Sequence, residues 1–441
     1  MKAYTYKDSG IEWIGKVPSH WKVDRLRDLS SINTDALSSH TDKDFSLNYL
    51  DISNVNSLGV IDRNKIEKIS FEHAPSRARR KVEKFDTVIS SVRTNLQAVA
   101  FIDFDIENLI CSTGFFVCRP KFTEILDEKY LYYFLLTDYS KDYFFSHSVG
   151  VSYPAIDDYK FSSVNLPLPP LSEQETIVEF LDKAIARIDR IISIKEEQIY
   201  SLGNYFTKEL TKVITRGIGE NVLQDTSCFW LPKIKKGWKL LPLKRLLKTK
   251  LKYGANEPAL DDNLNHPRYI RITDFDGNGK LRGNTFRSLS PEVAAPYLLT
   301  EGDVLFARSG ATVGKTFIFK DYDGLACFAG YLIKAECDKN KLLPDFLYYF
   351  TKSLSYSEWK DLIFTQATIQ NIGADKYQYL NVPVPSVEEQ NKIVEFIKIL
   401  EEATNNAKSN INSQIETLQS YRKSLIHECV TGKKQVTDRI E

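Results

Sequence analysis

The stretch nearest to catalytic chemistry is ARSGATVGKT, residues 307–316. Two glycines followed by Lys-Thr suggest a loop that cradles phosphate with its backbone N–H groups. That chemistry requires four residues between the glycines and a helix after the Lys-Thr pair. Gly310 and Gly314 enclose three residues, and the following FIFKD reads as a strand. The segment is therefore read as a tight turn between strands, exposing Arg308, Ser309, Thr312 and Lys315. PLPPL at 167–171 has the prolines of an amine methyltransferase motif without its Asn or Asp and its aromatic. No H-E-x-x-H, no G-x-S-x-G and no acidic metal cluster is found. The six cysteines form no C-x-x-C pair, and the six histidines do not gather with them. A zinc site and a disulfide framework are both disfavoured, and a reduced compartment fits. The expectation is a chain with no catalytic, cofactor-binding or metal-binding residues.

What remains is a set of side chains suited to base edges and phosphates. The densest basic run is RARRK, with Arg77, Arg79, Arg80 and Lys81. SSVRTNLQ offers Arg93, Thr94, Asn95 and Gln97, and SHSVGVSYPAI offers Ser148, Ser152 and Tyr153. Later in the chain come Arg268 and Arg271, the turn with Arg308, Ser309, Thr312 and Lys315, and TQATIQN. That last segment carries Thr365, Gln366, Thr368, Gln370 and Asn371. Overall charge does not single any of them out, since 59 Lys and Arg face 58 Asp and Glu, a net charge of +1. No apolar run reaches the roughly 18 residues of a membrane span.

The elements that must position these residues come in two copies. PLPPLSEQETIVEF at 167–180 returns as PVPSVEEQNKIVEF at 383–396, an offset of 216 residues. The same offset carries LYYF at 131–134 onto LYYF at 347–350. Nearer the start of each copy the hydrophobic pattern persists while the polar residues drift, as in NYLDISNVNSLG at 48–59 and RYIRITDFDGNG at 268–279. The front of each copy reads as mixed α/β, with short β-branched runs bounded by Gly, Asp or Pro. The back of each copy reads as one long helix. Ser172 with Glu175 three residues on forms a capping-box pattern, and the proline lead-in cannot be helix interior. Apolar residues from Leu181 to Val213 then recur at spacings of three and four, a coiled-coil stripe broken by Lys195. Such a helix needs a partner, and each copy can supply the other's. Antiparallel packing would place a pseudo-twofold axis in the middle of the pair.

Two divergent globular parts, each followed by a [PL]-x-P-x-x-x-E-Q-x-x-I-V-x-F lead into a long helix, resemble the specificity subunit of type I restriction–modification systems (HsdS). SGIEWIGKVPSHWKVDRLRDL near the start is similar to the N-terminus of many members. The resemblance implies an α+β chain. Residues 1–171 and 221–387 would be target recognition domains, and 172–220 and 388–436 would be helices packed as an antiparallel coiled coil. Each domain would read one half of a bipartite, asymmetric site in double-stranded DNA. Pro169, Glu173, Gln174 and Phe180, with Pro385, Glu389, Gln390 and Phe396, would form the helix starts and dock partners. Two modification subunits would bring S-adenosylmethionine and methylate adenine N6. Restriction subunits, with Mg and ATP, could join them. The chain itself would hold no cofactor and would work in a prokaryotic cytoplasm.

Overall fold

The computed structural model describes residues 4–436 apart from 57–58, 93–97, 151–153, 277–278, 280, 311 and 366–370. The chain divides into two units, residues 1–195 with 412–441, and residues 196–411. The unit boundary cuts both long helices, so each unit holds one globular part and half of each helix.

In the first unit the described residues form two four-stranded sheets. One orders Glu67–Ser70, Ser46–Leu50, Leu109–Ser112 and Ala78–Lys81, and its Ser46–Leu50 and Leu109–Ser112 strands run parallel. The other is antiparallel and orders Ser30–Ile32, Phe115–Pro120, Thr87–Ser90 and Val99–Phe101. LICSTGFFVCRP thus supplies one strand to each sheet. The chain turns at Gly114, where a Cβ would meet Ile52 Cδ1 at 2.7 Å. The second unit repeats the plan. Arg268–Ile270 and Ala326–Phe328 run parallel. Lys252–Tyr253, Leu332–Ala335, Val304–Ala307 and Thr316–Ile318 form the antiparallel sheet. The turn at 308–315 therefore joins two antiparallel strands, as its strand-like flank predicts.

A short strand leads into each long helix. Asn165–Leu168 pairs with Lys22–Arg25, and Asn381–Val384 pairs with Lys239–Pro242 in the same register. Proline is tolerated here because these are two-stranded ribbons with free edges. The helices are Leu171–Arg216 and Val387–Val430, 46 and 44 residues long. At 1.5 Å per residue the first spans about 69 Å. It starts one residue before the expected serine cap. The Pro170 carbonyl accepts from the Glu173 and Gln174 N–H groups, so Ser172 lies inside the first turn. The position matching Pro170 in the second copy is Ser386, which does cap, its Oγ accepting from Glu389 N at 3.2 Å. Both helices stop short of the expected ends at 220 and 436. Gly217 and Gly432 follow them with φ of +77° and +71°, and such left-handed glycines commonly close helices.

Within each unit the two helix halves run antiparallel. In the first, Lys195 Nζ donates to Gln414 Oε1 at 2.5 Å and Arg422 Nε to Asp189 Oδ1 at 3.2 Å. In the second, Gly203 lies beside Lys408 and Gly217 beside Glu389. The Lys195–Gln414 bond fills the layer that breaks the apolar stripe. Ile177, Leu181, Ile185, Ile188 and Ile192 are buried, whereas Ile199, Leu202 and Phe206 are half-buried. A two-helix coil covers one side of each helix, so its apolar seam is fully buried only where a globular part adds a second cover. The aromatic segments around LYYF are core, as expected, with Tyr130, Leu131 and Phe134 buried. Each breaks into two helices at a threonine. Thr137 caps Asp138–Ser146 by accepting from Ser140 N. Thr351 ends Pro344–Phe350.

Candidate nucleic-acid interface

The repeated Glu-Gln pair is the anchor of each globular part. Glu173 Oε2 accepts from Trp21 Nε1 at 3.2 Å and lies 2.8 Å from His20 Nε2. Burial raises the pKa of its carboxyl. Glu389 repeats the geometry, accepting from Trp238 Nε1 at 3.0 Å and from Lys235 Nζ at 2.7 Å. Gln174 accepts from Asp127 N and donates to the Ile125 and Pro169 carbonyls, all at 2.9 Å. Gln390 accepts from Leu343 N at 2.8 Å and donates to Lys341 O at 2.8 Å and Pro385 O at 3.1 Å. Both glutamines are fully buried. The docking role expected of Gln174 and Gln390 is therefore corrected, because each side chain is spent inside its own unit. Pro169 and Pro385 are also buried, and Phe180 is half-buried beneath Lys434 at 5.3 Å. Phe396 keeps 37% of its surface exposed.

These anchors hold up two loops that meet in each unit. In the first, the segment after Thr87–Ser90 meets the segment before the long helix through the bridge Val92–Ala155 and the Ile156 N to Ser91 O bond of 3.1 Å. Ser148 stands at this junction, its Oγ donating to Phe144 O at 2.7 Å. Arg77 is close in the hydrogen-bond network, since Thr113 N donates to Arg77 O at 2.7 Å and Ser91 N to Gly114 O at 2.7 Å. The exposed Arg77 guanidinium is aimed by two partners, Asp51 at 2.8 Å and the Tyr49 hydroxyl at 3.0 Å. Burial pulls the Asp51 carboxyl up, but hydrogen bonds from Ser53 and Tyr49 and the Arg77 charge outweigh it and leave it lowered.

The second unit joins the same two segments. Ser309 bridges Asn371, and Ile372 N donates to Arg308 O at 2.9 Å. Gly310 and Gly314 take positive φ in the turn, and Lys315 is exposed. Arg308 lies over the Tyr253 ring at 4.9 Å. Tyr253 and Tyr331, exposed aromatics beside this turn, were not singled out from sequence. Tyr253 follows Lys252 and Tyr331 follows Gly330, each at the border of a strand-like run, so only the fold places them beside Arg308.

Three expected DNA contacts turn inward. Arg268 is 5% exposed and lies between the Phe286 and Tyr322 rings, with Nη2 donating to Arg282 O at 2.6 Å. Arg271 is spent on the buried Asp274 at 2.7 Å and on Thr285 O at 3.0 Å. Arg80 is half-buried over Phe116 at 5.6 Å, and burial lowers its pKa. Strand alternation explains the split in the basic run: Arg79 packs on Phe71 at 4.5 Å on one face, and Arg80 enters the core on the other. Lys81 is exposed. Arg93, Thr94, Asn95, Gln97, Ser152, Tyr153, Gln366, Thr368 and Gln370 lie outside the described residues, as does the Thr365 side chain.

Two mixed domains, each buttressed by a Glu-Gln helix start and carrying a paired loop face, define a duplicated recognition scaffold. The chain belongs to the family of the type I restriction modification DNA specificity domain, which it matches twice, at residues 18–200 and 237–417. It is 22% identical over 437 residues to the StySPI specificity subunit of Salmonella potsdam, covering 97% of this chain and 92% of that protein. Two solved structures share the fold. One, from work on assembly and conformational transition of a type I R-M system, gives a TM-score of 0.73 at 22% identity over 95% of this chain and 99% of that one. The HsdS subunit from Thermoanaerobacter tengcongensis gives 0.51 at 22% identity, over 95% and 98%. Among the described residues no helix is long and apolar enough to cross a membrane.

Proposed function

We propose that this chain chooses the DNA sequence for a type I restriction–modification complex. Each unit reads one half of a bipartite, asymmetric site through its paired loops. The long helices set the gap between the halves and dock two modification subunits, which methylate adenine N6. S-adenosylmethionine, Mg and ATP belong to those partners and to restriction subunits that join them, and the assembly works in a prokaryotic cytoplasm. The observation that carries this reading is a contrast within one chain. The helix starts keep the same anchors, Glu173-Gln174 returning as Glu389-Gln390, while the loop faces they support differ in nearly every polar residue. A scaffold duplicated for stability alone gives no reason for that contrast. Helix residues 172–216 carry seven basic and eight acidic side chains, a balance suited to protein contact more than to phosphate. A second reading, a scaffold that binds proteins and never reads DNA, leaves the loop divergence unexplained.

The test is a genome-wide map of N6-methyladenine in cells expressing the cognate modification subunit with and without this chain. A bipartite motif with a fixed gap, present only with both, is expected. A stable complex that methylates nothing new would leave a scaffold in place of a reader.

A further inference from the structure

Ser91 and Arg308 hold the same place in the two units. Ser91 N donates to Gly114 O at 2.7 Å, and Arg308 N donates to Tyr331 O at 3.0 Å. Ser91 O accepts from Ile156 N at 3.1 Å, and Arg308 O accepts from Ile372 N at 2.9 Å. Both backbone groups are thus bracketed by matching partners, at the point where the two loop segments of each unit meet. The side chains have nothing in common. Ser91 is 8% exposed and turns inward, its Oγ donating to Gly114 O at 2.9 Å. Arg308 leaves the backbone as a half-buried cation stacked on Tyr253 at 4.9 Å. The Tyr253 hydroxyl is itself fixed, accepting from Ala374 N at 2.9 Å. Whereas Arg271 is consumed by Asp274, Arg308 has no carboxylate partner among the described residues.

We propose that Arg308 is a specificity-determining residue that reads a guanine in the half-site taken by the second unit. The inference rests on the DNA-reading function proposed above and names one of its contacts. Two readers built on one scaffold must differ where they touch bases, and this is a position where the scaffold is matched and the chemistry is not. The Tyr253 ring lies 4.9 Å from the Arg308 guanidinium carbon and restrains it, and a guanidinium carries its donors in a rigid fork. Guanine O6 and N7 form the acceptor pair that such an edge meets two at a time in the major groove. A side chain already held by its backbone and by a ring loses little freedom on binding. Lys315, exposed in the same turn and carrying a point charge, suits phosphate instead. At this position the first unit carries Ser91 in place of a cation, so the two half-sites are read by different chemistry here.

The experiment maps the methylation motif of the complete complex with the unaltered chain, with Arg308→Gln and with Arg308→Lys. The expected result is an unchanged first half-site and a second half-site in which one guanine position accepts other bases. Discrimination there should fall about tenfold to a hundredfold, the range for losing one bidentate base contact. Arg308→Lys keeps the charge and loses the fork, so it should relax the same position while DNA affinity holds. Should Arg308→Gln abolish methylation altogether, the lysine variant decides. An unchanged motif with uniformly weaker methylation and a shallower salt dependence of DNA binding would make Arg308 a phosphate contact and overturn the inference. So would a native second half-site without guanine. Failure of the parent reading looks different, because the unaltered chain would then direct no bipartite motif at all.

Discussion

Lys129 Nζ lies 2.6 Å from Asp182 Oδ2, and at the positions 216 residues further on the charges are exchanged, with Asp345 facing Lys398 at 3.6 Å. In the first unit the globular part supplies the cation and the long helix the acid. In the second the globular part supplies the acid and the helix the cation. A tyrosine of the LYYF motif reinforces each seam. Tyr133 donates to the same Asp182 at 2.5 Å, and Tyr349 donates to Glu401 at 2.9 Å. Burial, together with the neighbouring carboxylate, raises the pKa of both phenols, so both remain donors.

The charge exchange predicts that Lys129→Asp weakens the first unit and that Lys129→Asp with Asp182→Lys recovers part of the loss. The pair is about one-third exposed, so a coupling on the order of 0.5–1 kcal/mol is expected from a double-mutant cycle of urea unfolding. A coupling of zero would show that the seam holds by packing and by Tyr133 alone. The same polarity predicts that a second copy of the first globular part, grafted in place of residues 221–387, sets a lysine against Lys398. Lys398→Asp should then improve that chimera.

The buried glutamines make a larger prediction. Gln174→Ala would strip partners from the Asp127 N–H and from two carbonyls in a dry site, and Gln390→Ala would do the same around Leu343. An unsatisfied buried group costs about 1–3 kcal/mol. Each variant should therefore lower the thermal midpoint of its own unit by several degrees. In the methylation assay, each should weaken one half-site more than the other. Equal damage to both half-sites would mean that the clamp is not local to its unit.

The repeat and both long helices were legible because a stripe of apolar residues at spacings of three and four leaves few alternatives. The helix start was misplaced by one residue because Ser172 looked like a cap while the backbone carbonyl of Pro170 does that work. Sequence also marks where arginines are but not which way a strand turns them, and Arg79 and Arg80 show how adjacent residues separate. Arg268 escaped for a related reason. Its cover comes from Phe286 and Tyr322, distant in sequence, and no local pattern announces that sandwich. The identical Glu-Gln pairs were legible as helix starts, with a partner-docking role attached to them. Their meaning, a tether to Trp21 and Trp238, needed the fold.

His427, near the end of the second helix, predicts a pH dependence in the first unit. Burial lowers the pKa of its imidazole from the ordinary 6.5, and the nearby Lys433 lowers it further, against smaller pulls from Asp138 and Glu428. The folded ring therefore resists a proton that the unfolded chain accepts. Stability should fall as pH drops below about 6.5, by no more than about 1.4 kcal/mol per pH unit for this one group. His427→Gln should flatten that part of the curve in melts taken between pH 5 and 8. An unchanged slope would assign the dependence to other groups.

The long helices make the most direct prediction about function. Removing residues 199–202 from the first helix takes out four residues, about 6 Å of length and slightly more than one turn. The loop faces are built from other segments and their anchors at Glu173 and Glu389 lie well away in sequence, so the two half-site sequences should survive. The gap between them should shorten, or assembly should fail, because the offset also rotates one end of the helix by about 40° against the other. The methylation map reads both features at once. A motif with the old gap would show that the helices do not set the spacing. Altered half-sites would show that they take part in reading the bases.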